Sequence, residues 1–507
     1  MHDGGLLRVP CRNRRAEEPA SVLRACAQRH DHPPPVPPWR TAVSAPDLLI
    51  IGGGSTGLSA SIVARELGLS VELLDERPAL GGNYFAGAGN PSAGKTKLGE
   101  GYAQGADLLR KANGPGMRNG AFAWRIEPDG KTYFIDPAGK VGSISPRRLL
   151  IATGAQERPV PIAGALLPGV MYAGAAQLML KTFGSIPAGR AVLVGCGPLL
   201  LLLAKQLLSQ GAAPAALIET TPRAGLLITA TSLPAALKVP ALLSEGLGFR
   251  SALKKSAMAW HRQASGVFIS GRDKAQSVTF TDRHGQRHTI MADLILLHDG
   301  VIPNDHVARQ LKCKETWNPG QHCFNTTVDQ WGETSRKGIF AAGDCTGIWG
   351  VEAARMSGEI AALEIARQLG FINADERDRR AAEPLRQRAR QVAFRPFVET
   401  HFPPTLARAG FADGDTVICR CEMVTAGEIR LAVRQGASGP DQLKSFTRCG
   451  MGPCQGRSCA MAVAEIIASE TGRSIGEIGR HDIRAPLKPL PLGQIATARD
   501  AAEEIVA

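Results

Sequence analysis

Five cysteines, Cys419, Cys421, Cys449, Cys454 and Cys459, fall within 41 positions of this 507-residue chain, while the other six are scattered. Clustered thiols in a long chain without a secretory leader point to metal rather than to disulfides. Thr425 followed three residues later by Glu428 is a capping box, so a helix starts just after Cys419-Arg-Cys421 and stops at Gly436. A second helix runs from Ala460 to Glu470 and stops at Gly472. Both cysteine groups therefore lie in loops that open helices. Helix N-termini, with Arg420, Arg448 and Arg457, stabilise thiolates and suit an anionic 2Fe-2S cluster. Four ligands are needed, and Cys419, Cys421, Cys454 and Cys459 are assigned, with Cys449 as the spare. Structural zinc is the alternative, although zinc ribbons favour two-residue spacings and the spacings here are one and four.

A second kind of chemistry is written near the start. Leu48 to Ile51 is an apolar run followed by Gly52-Gly53-Gly54-Ser55-Thr56-Gly57, an apolar-periodic helix to Leu67, and a second apolar run ending in Asp75-Glu76. This is the strand, Gly-x-Gly-x-x-Gly turn, helix and acidic strand end that binds a dinucleotide. Gly52 permits the turn, Gly54 lets the backbone approach a pyrophosphate, Gly57 allows close helix packing, and the helix start at Ser55 offers free N–H groups. Asp75 lies about 18 residues past the third glycine, at the offset of a ribose-binding acid. Glu76 is the fallback.

Two distant segments decide for flavin. Ala152-Thr153-Gly154 ends one apolar strand and Gly343-Asp344 ends another. They resemble the two-dinucleotide-binding flavoproteins, in which the first lies at a domain crossing and the Gly-Asp carboxylate holds the ribityl chain. Gly81-Gly82-Asn83 matches that family's segment beside the pyrophosphate. Between these flanks the pattern repeats: an apolar strand, Gly195-Cys196-Gly197-Pro198-Leu199-Leu200, a helix to Gln210, and a strand ending in Glu219. The third glycine is replaced by Leu200. Glu219 fits a ribose hydroxyl and hence NAD, Arg223 leaves a 2'-phosphate open, and another nucleotide or an empty retained fold is also compatible. No Cys-x-x-Cys or Cys-x4-Cys pair precedes residue 400, which sets disulfide-reductase chemistry aside, and no histidine sits in a hydrolase-like motif.

The length allows about three domains. A net charge of +13 would suit anionic partners, but aromatic residues are only 5% and no basic run is interleaved with them, so nucleic-acid binding is not expected. The longest uncharged run, Pro159 to Leu180, is broken by prolines and glycines, so no transmembrane segment is expected. Residues 1–46 carry seven arginines, four acids and Pro33-Pro34-Pro35-Val36-Pro37-Pro38 without a secretory apolar core; they read as a disordered basic tail, and the cytoplasm is the expected compartment. The charged stretch Asp375 to Arg390 reads as a solvated helical linker.

From about residue 46 to 490 the chain resembles the FAD-dependent α-type subunits of opine oxidases, hydrogen cyanide synthase and proline or hydroxyproline dehydrogenases, with the α subunit of heterotetrameric sarcosine oxidase more distant. The resemblance is carried by Cys419-Arg-Cys421-Glu422, by Thr447-Arg-Cys-Gly-Met-Gly-Pro-Cys-Gln-Gly-Arg457, by Ala152-Thr-Gly-Ala-Gln-Glu-Arg-Pro159, by Gly195-Cys-Gly-Pro-Leu-Leu200 and by Leu487-Lys-Pro-Leu-Pro-Leu-Gly493. It implies an α/β two-dinucleotide-binding flavoprotein with a small helical domain of the bacterioferritin-associated ferredoxin type. The implied division is an FAD domain at 47–155 and 291–370, an inserted NAD(P)-like Rossmann domain at 156–290, a linker at 371–415, a 2Fe-2S domain at 416–480 and a tail at 481–507. It further implies an electron-relaying oxidoreductase subunit. An FAD-dependent, amino-acid-oxidase-like β subunit would dehydrogenate the amine, and a small ferredoxin-like subunit is the further partner the resemblance leaves open. No catalytic acid or base is assigned on this chain. The competing readings are a self-sufficient NAD(P)H-dependent flavin reductase and a zinc-containing assembly subunit.

Overall fold

The run Leu48 to Ile51 is apolar at every position because it lies at the centre of a parallel sheet covered on both faces. In the computed structural model, which describes residues 45–89, 98, 100–222, 233–234 and 236–496, that sheet has five parallel strands. Their order is Ile339–Ala341, Arg148–Ile151, Leu48–Ile51, Val71–Asp75 and Met117–Asn119. Residues 1–44, which hold most of the expected tail, and Arg223 lie outside the described residues. Helix Ser55–Glu66 packs against helix Val351–Gln368. Gly358 makes that approach close, since a Cβ there would lie 2.3 Å from the Thr56 carbonyl oxygen.

The second sheet is also parallel, in the order Ala259–Arg262, Ala216–Glu219, Ala191–Cys196, Leu294–Asp299, Val170–Tyr172. The chain runs outward from Ala191–Cys196 in one direction and returns on its other side, so the strand order reverses between Ala191–Cys196 and Leu294–Asp299. An antiparallel pair, Ala155–Glu157 with Val301–Pro303, joins the two sheets. The expected boundary between residues 290 and 291 falls too early. Strand Leu294–Asp299 belongs to the second sheet, where its apolar run is buried beside Ala191–Cys196, and the chain leaves that sheet only afterwards.

The charged linker is the helix Ala374–Ala393, capped by the Asn373 side chain, which accepts from the Glu376 N–H at 2.9 Å. Helix Arg395–His401 follows, then an irregular segment. The C-terminal unit is a short hairpin, Val417–Cys419 with Val424–Thr425, and the helices Ala426–Arg434, Pro440–Thr447 and Ala460–Thr471 around Ile418, Ile429, Leu443, Val463 and Ile467. The Thr425–Glu428 capping box forms as its spacing predicts, and Gly472 closes the last helix in the left-handed conformation. Beyond it, Ile483 and Leu487 insert into the core under the first sheet. The architecture is thus the expected α/β flavoprotein fold with a small helical C-terminal unit.

Candidate functional site

The first glycine turn divides into positions that the chain itself requires and one that it does not. Gly52 has φ +113°, and a Cβ there would lie 2.3 Å from the Ala152 oxygen. A Cβ on Gly57 would lie 1.9 Å from the Gly52 oxygen. Both sites admit only glycine. Gly54, by contrast, has φ −81° and ψ −170°, open to any residue, and its Cβ would meet nothing nearer than the Gly82 Cα at 3.7 Å. Across this gap Gly82 stands with φ +58°. A Cβ on Gly82 would lie 2.8 Å from the Gly54 Cα, so the two bare backbones pack together beside the start of helix Ser55–Glu66, and the side-chain-free surface they make there suits a pyrophosphate.

Asp75 does not face that slot. Its carboxylate accepts from the Gly53 N–H at 2.5 Å and the Arg77 N–H at 2.8 Å, which holds the turn closed from beneath. Burial pushes its pKa up, and the two N–H bonds oppose the rise. The side chain assigned to the ribose is thus used by the protein. Glu76, the fallback, is exposed beyond the strand end and pairs with Lys488.

Arg77 binds the next segment, donating to the Gly82 oxygen at 2.9 Å and to the Asn83 side-chain oxygen, while the Asn83 amide donates to the Ala155 oxygen at 3.0 Å. Thr153 and Gly154 stand at the crossing between the sheets. The Thr153 hydroxyl donates to the Asn304 oxygen at 2.5 Å and the Asn304 N–H donates to the Gly154 oxygen at 2.9 Å. Gly343 brings its strand end onto the glycine-turn helix, since a Cβ there would lie 2.1 Å from Thr56 Oγ1. One oxygen of the adjoining Asp344 accepts from the Trp349 and Gly350 N–H groups at 2.9 and 3.2 Å, and burial raises its pKa. Of the residues assigned to the flavin, the first glycine turn, Gly82, Asn83, Thr153, Gly154, Gly343 and Asp344 are brought together in one cradle, whereas Asp75 lies beneath the turn and Glu76 is exposed beyond the strand end.

Sequence reasoning passed over Lys181, which reaches this cradle from helix Ala173–Phe183. Its ammonium donates to the Asn83 and Tyr84 oxygens at 3.2 and 3.1 Å. Burial lowers its pKa from 10.5 to about 8. The only signal was a lone lysine on an apolar helical face. Below pH 8 both the folded and unfolded chains hold the proton. Between about 8 and 10.5 the unfolded chain binds more, so stability climbs with pH, by about 3 kcal/mol in total. Denaturant titrations across that window should show the rise, and Lys181→Met should remove it.

The second glycine turn is built differently. Gly195 has φ +132° and a Cβ there would lie 1.7 Å from the His298 oxygen; Gly197 has φ +122° and a Cβ 3.1 Å from His298 Nε2. Both glycines are required by the protein's own packing, and Leu200 is fully buried. Glu219, assigned to a ribose, is 2% exposed; it accepts from Trp260 Nε1 at 3.1 Å and from Arg250 at 3.3 Å. Its carboxylate is taken up inside the chain, because a buried carboxylate needs such partners.

All five C-terminal cysteines come together. The thiols of Cys419, Cys449 and Cys459 lie within 4.8 Å of one another and are buried. Cys419 accepts hydrogen bonds from the other two, which hold it well below the ordinary thiol range and raise Cys449 and Cys459 in return. Cys421 and Cys454 form a second contact, nearer the surface. A Cβ on Gly452 would lie 2.1 Å from Cys421 Cβ, so the two loops meet through that glycine. Cys449, assigned as the spare, is part of the buried triad. A buried triad of soft thiol donors beside a second thiol pair fits an iron-sulfur cluster and also a zinc ion. The pocket adjoins the cradle, since Gln156 Nε2 donates to the Arg457 oxygen at 3.2 Å, between Cys454 and Cys459.

Comparison with known proteins agrees with this geometry. Residues 46–368 match the family model described as pyridine nucleotide-disulphide oxidoreductase, and residues 414–499 match that of the sarcosine oxidase A3 domain. The parallel sheet, glycine cradle and family match define an FAD-dependent oxidoreductase. The A-type opine oxidase subunit of Rhizobium meliloti (strain 1021) is 38% identical over 89% of this chain and 98% of its own length. The HcnB subunit of hydrogen cyanide synthase from Pseudomonas aeruginosa is 32% identical over 87% of this chain and 97% of its own. The chain belongs to the family of these opine oxidase and hydrogen cyanide synthase subunits. The alpha subunit of sarcosine oxidase from Rhizobium meliloti is 25% identical over 89% of this chain but only 42% of its own length. The crystal structure of L-proline dehydrogenase from P. horikoshii shares the fold, with TM-score 0.65 and 20% identity over 89% of this chain and 79% of that one. No helix among the described residues is long and apolar enough to cross a membrane.

Proposed function

We propose that this chain is the electron-relaying subunit of a complex that dehydrogenates an amino acid, imino acid or opine-type secondary amine. FAD accepts a pair of electrons and a 2Fe-2S cluster passes them on singly. The chain's own residues supply the two sites. Gly54, Gly82 and the helix start at Ser55 would take the pyrophosphate, Glu76 the adenosine ribose in place of Asp75, and Asp344 the ribityl hydroxyls. Cys419, Cys421, Cys454 and Cys459 would hold the cluster, each of the contacts Cys419–Cys459 and Cys421–Cys454 drawing one thiol from each loop, with Arg420 and Arg457 offsetting its charge and Cys449 packed behind.

The observation that carries this reading is the Gln156 to Arg457 hydrogen bond. It ties the crossing strand beside the cradle to the loop between two of the proposed cluster thiols, which supports a flavin and a cluster lying near one another. The relatives are named as subunits, and among the described residues of the cradle none is a free base aimed at a substrate, which supports an amine pocket on a partner resembling an FAD-dependent amino-acid oxidase. Co-expression with the neighbouring-gene product tests this, followed by a screen of opines, amino acids and imino acids with an artificial acceptor. Turnover is expected from the copurified complex alone, with substrate bleaching the flavin and producing the cluster's electron-spin signal. Full turnover by this chain alone, or a complex free of iron, would overturn it.

A further inference from the structure

In an open parallel sheet a ligand lies outside the carboxyl ends of the strands, at the point where strand order reverses. In the second sheet that point is between Cys196 and Asp299. It is filled by the chain itself. The Cys196 thiol donates to the Pro403 oxygen at 3.2 Å, and the Thr220 and Thr405 hydroxyls share a hydrogen bond at 2.6 Å. The Asp299 carboxylate, buried with its residue 1% exposed, accepts from the backbone N–H groups of Thr405 at 3.0 Å, Leu406 at 2.9 Å and Ala407 at 2.8 Å. Three consecutive amides converging on one anion is the arrangement by which a nest binds phosphate, here turned on a resident carboxylate. Leu406 and Phe402 pack into the two cores on either side of the sheet.

The same segment continues into the cysteine-bearing unit. The Ala409 N–H donates to Glu465 on helix Ala460–Thr471 at 2.7 Å, and the other Glu465 oxygen pairs with His322. Buried Arg158 closes the ring, donating to the oxygens of His322 and Gln321 at 2.7 Å each and of Asp299 at 3.1 Å. Both glycines of the second turn are required by His298, and Glu219 is spent on Trp260 and Arg250, so no part of the turn is held in reserve for a cofactor.

We propose that the second dinucleotide crevice is the socket for the chain's own segment Pro403–Ala407, which fastens the cysteine-bearing unit to the sheet and leaves no room for a nicotinamide cofactor. This deepens the relay reading: electrons enter from the partner chain and not from NAD(P)H. Asp299 is a positioning residue, the pin of the socket.

Two measurements on the full chain test it. Equilibrium dialysis with NADH and with NADPH up to 1 mM should show no saturable binding at this crevice, and neither should bleach the flavin. Saturable binding that competes with adenine nucleotides and is lost in Glu219→Ala would overturn the proposal. Hydrogen exchange should show the amides of Thr405, Leu406 and Ala407 protected at least 100-fold although they lie in no helix or strand. Exchange at unprotected rates would equally overturn it. Asp299→Ala should expose the Arg408 peptide bond to trypsin at least tenfold faster, with Asp299→Asn in between; if Asp299→Ala does not fold, the exchange measurement on the unaltered chain decides. The dialysis, exchange and proteolysis outcomes do not depend on flavin or iron content, so failure here is distinct from failure of the relay reading.

Discussion

Cys419→Ser should purify with less than one tenth of the iron and acid-labile sulfide of the unaltered protein, while Cys449→Ser keeps both. Cys419 is where the two cysteine loops meet: its thiol accepts from Cys449 and Cys459, which favours its ionised form before any metal arrives. The metal ligand is the thiolate, and Cys419 is the thiol of its loop that lies against those of the other loop, so its loss removes the ligand at which the two loops meet. A serine hydroxyl at the same place stays protonated near neutral pH and is a poor partner for iron. The contacts of Cys419 with Cys459 and of Cys421 with Cys454 give two pairs of thiols, one pair for each iron of a two-iron cluster. Cys449 adds a third thiol to the first pair without a counterpart in the second. Iron and sulfide analysis after anaerobic purification separates the assignments. Loss of iron in Cys449→Ser with retention in Cys421→Ser would place the metal in the buried triad, and zinc in all variants would exclude the cluster. Because metal binding contributes to folding of its site, Cys419→Ser should also melt the helical unit several degrees earlier by circular dichroism.

What the sequence made legible is what local chemistry controls. The Thr425–Glu428 cap, the Gly472 stop and the two strand-turn-helix units depend on residues three to about twenty positions apart, and each forms as the spacing requires. The acids at the strand ends were read less well, because each is drawn to donors that spacing does not reveal. Asp75 is captured by the amide of Gly53 on the neighbouring strand's turn, and Glu219 by Trp260 and Arg250 from later elements. The segment Pro403–Ala407 has neither helical nor strand periodicity, so nothing local marked it as the filler of a crevice formed about 100 and 200 residues earlier. The early boundary at residue 290 has the same origin: strand Leu294–Asp299 is apolar enough for either sheet, and only its pairing with Ala191–Cys196 decides.

Gly54→Ala should fold as well as the unaltered chain and yet lose its FAD. The expectation rests on the difference among the three glycines of the first turn. Gly52 and Gly57 are fixed by the protein: any side chain there meets backbone oxygen at 2.3 or 1.9 Å, so Gly57→Ala should fail to fold. At Gly54 the backbone is extended and the nearest atom to an added Cβ is 3.7 Å away, an ordinary van der Waals distance. An alanine there costs the empty protein well under about 1 kcal/mol. Its methyl group, however, would stand on the bare surface that Gly54 and Gly82 share beside the helix start, where the proposed pyrophosphate must approach. A pyrophosphate held there must retreat, lengthening its bonds to the N–H groups at the start of helix Ser55–Glu66, and those charge-assisted bonds weaken steeply with distance. A loss of two such bonds, about 3 kcal/mol, corresponds to more than 100-fold weaker binding. Flavin released on heat denaturation, measured by fluorescence, gives the occupancy, and the melting temperature of flavin-stripped protein gives the cost to the fold. Full occupancy in Gly54→Ala would mean that the pyrophosphate lies elsewhere. An equal fall in stripped-protein stability would mean that this glycine, too, serves packing.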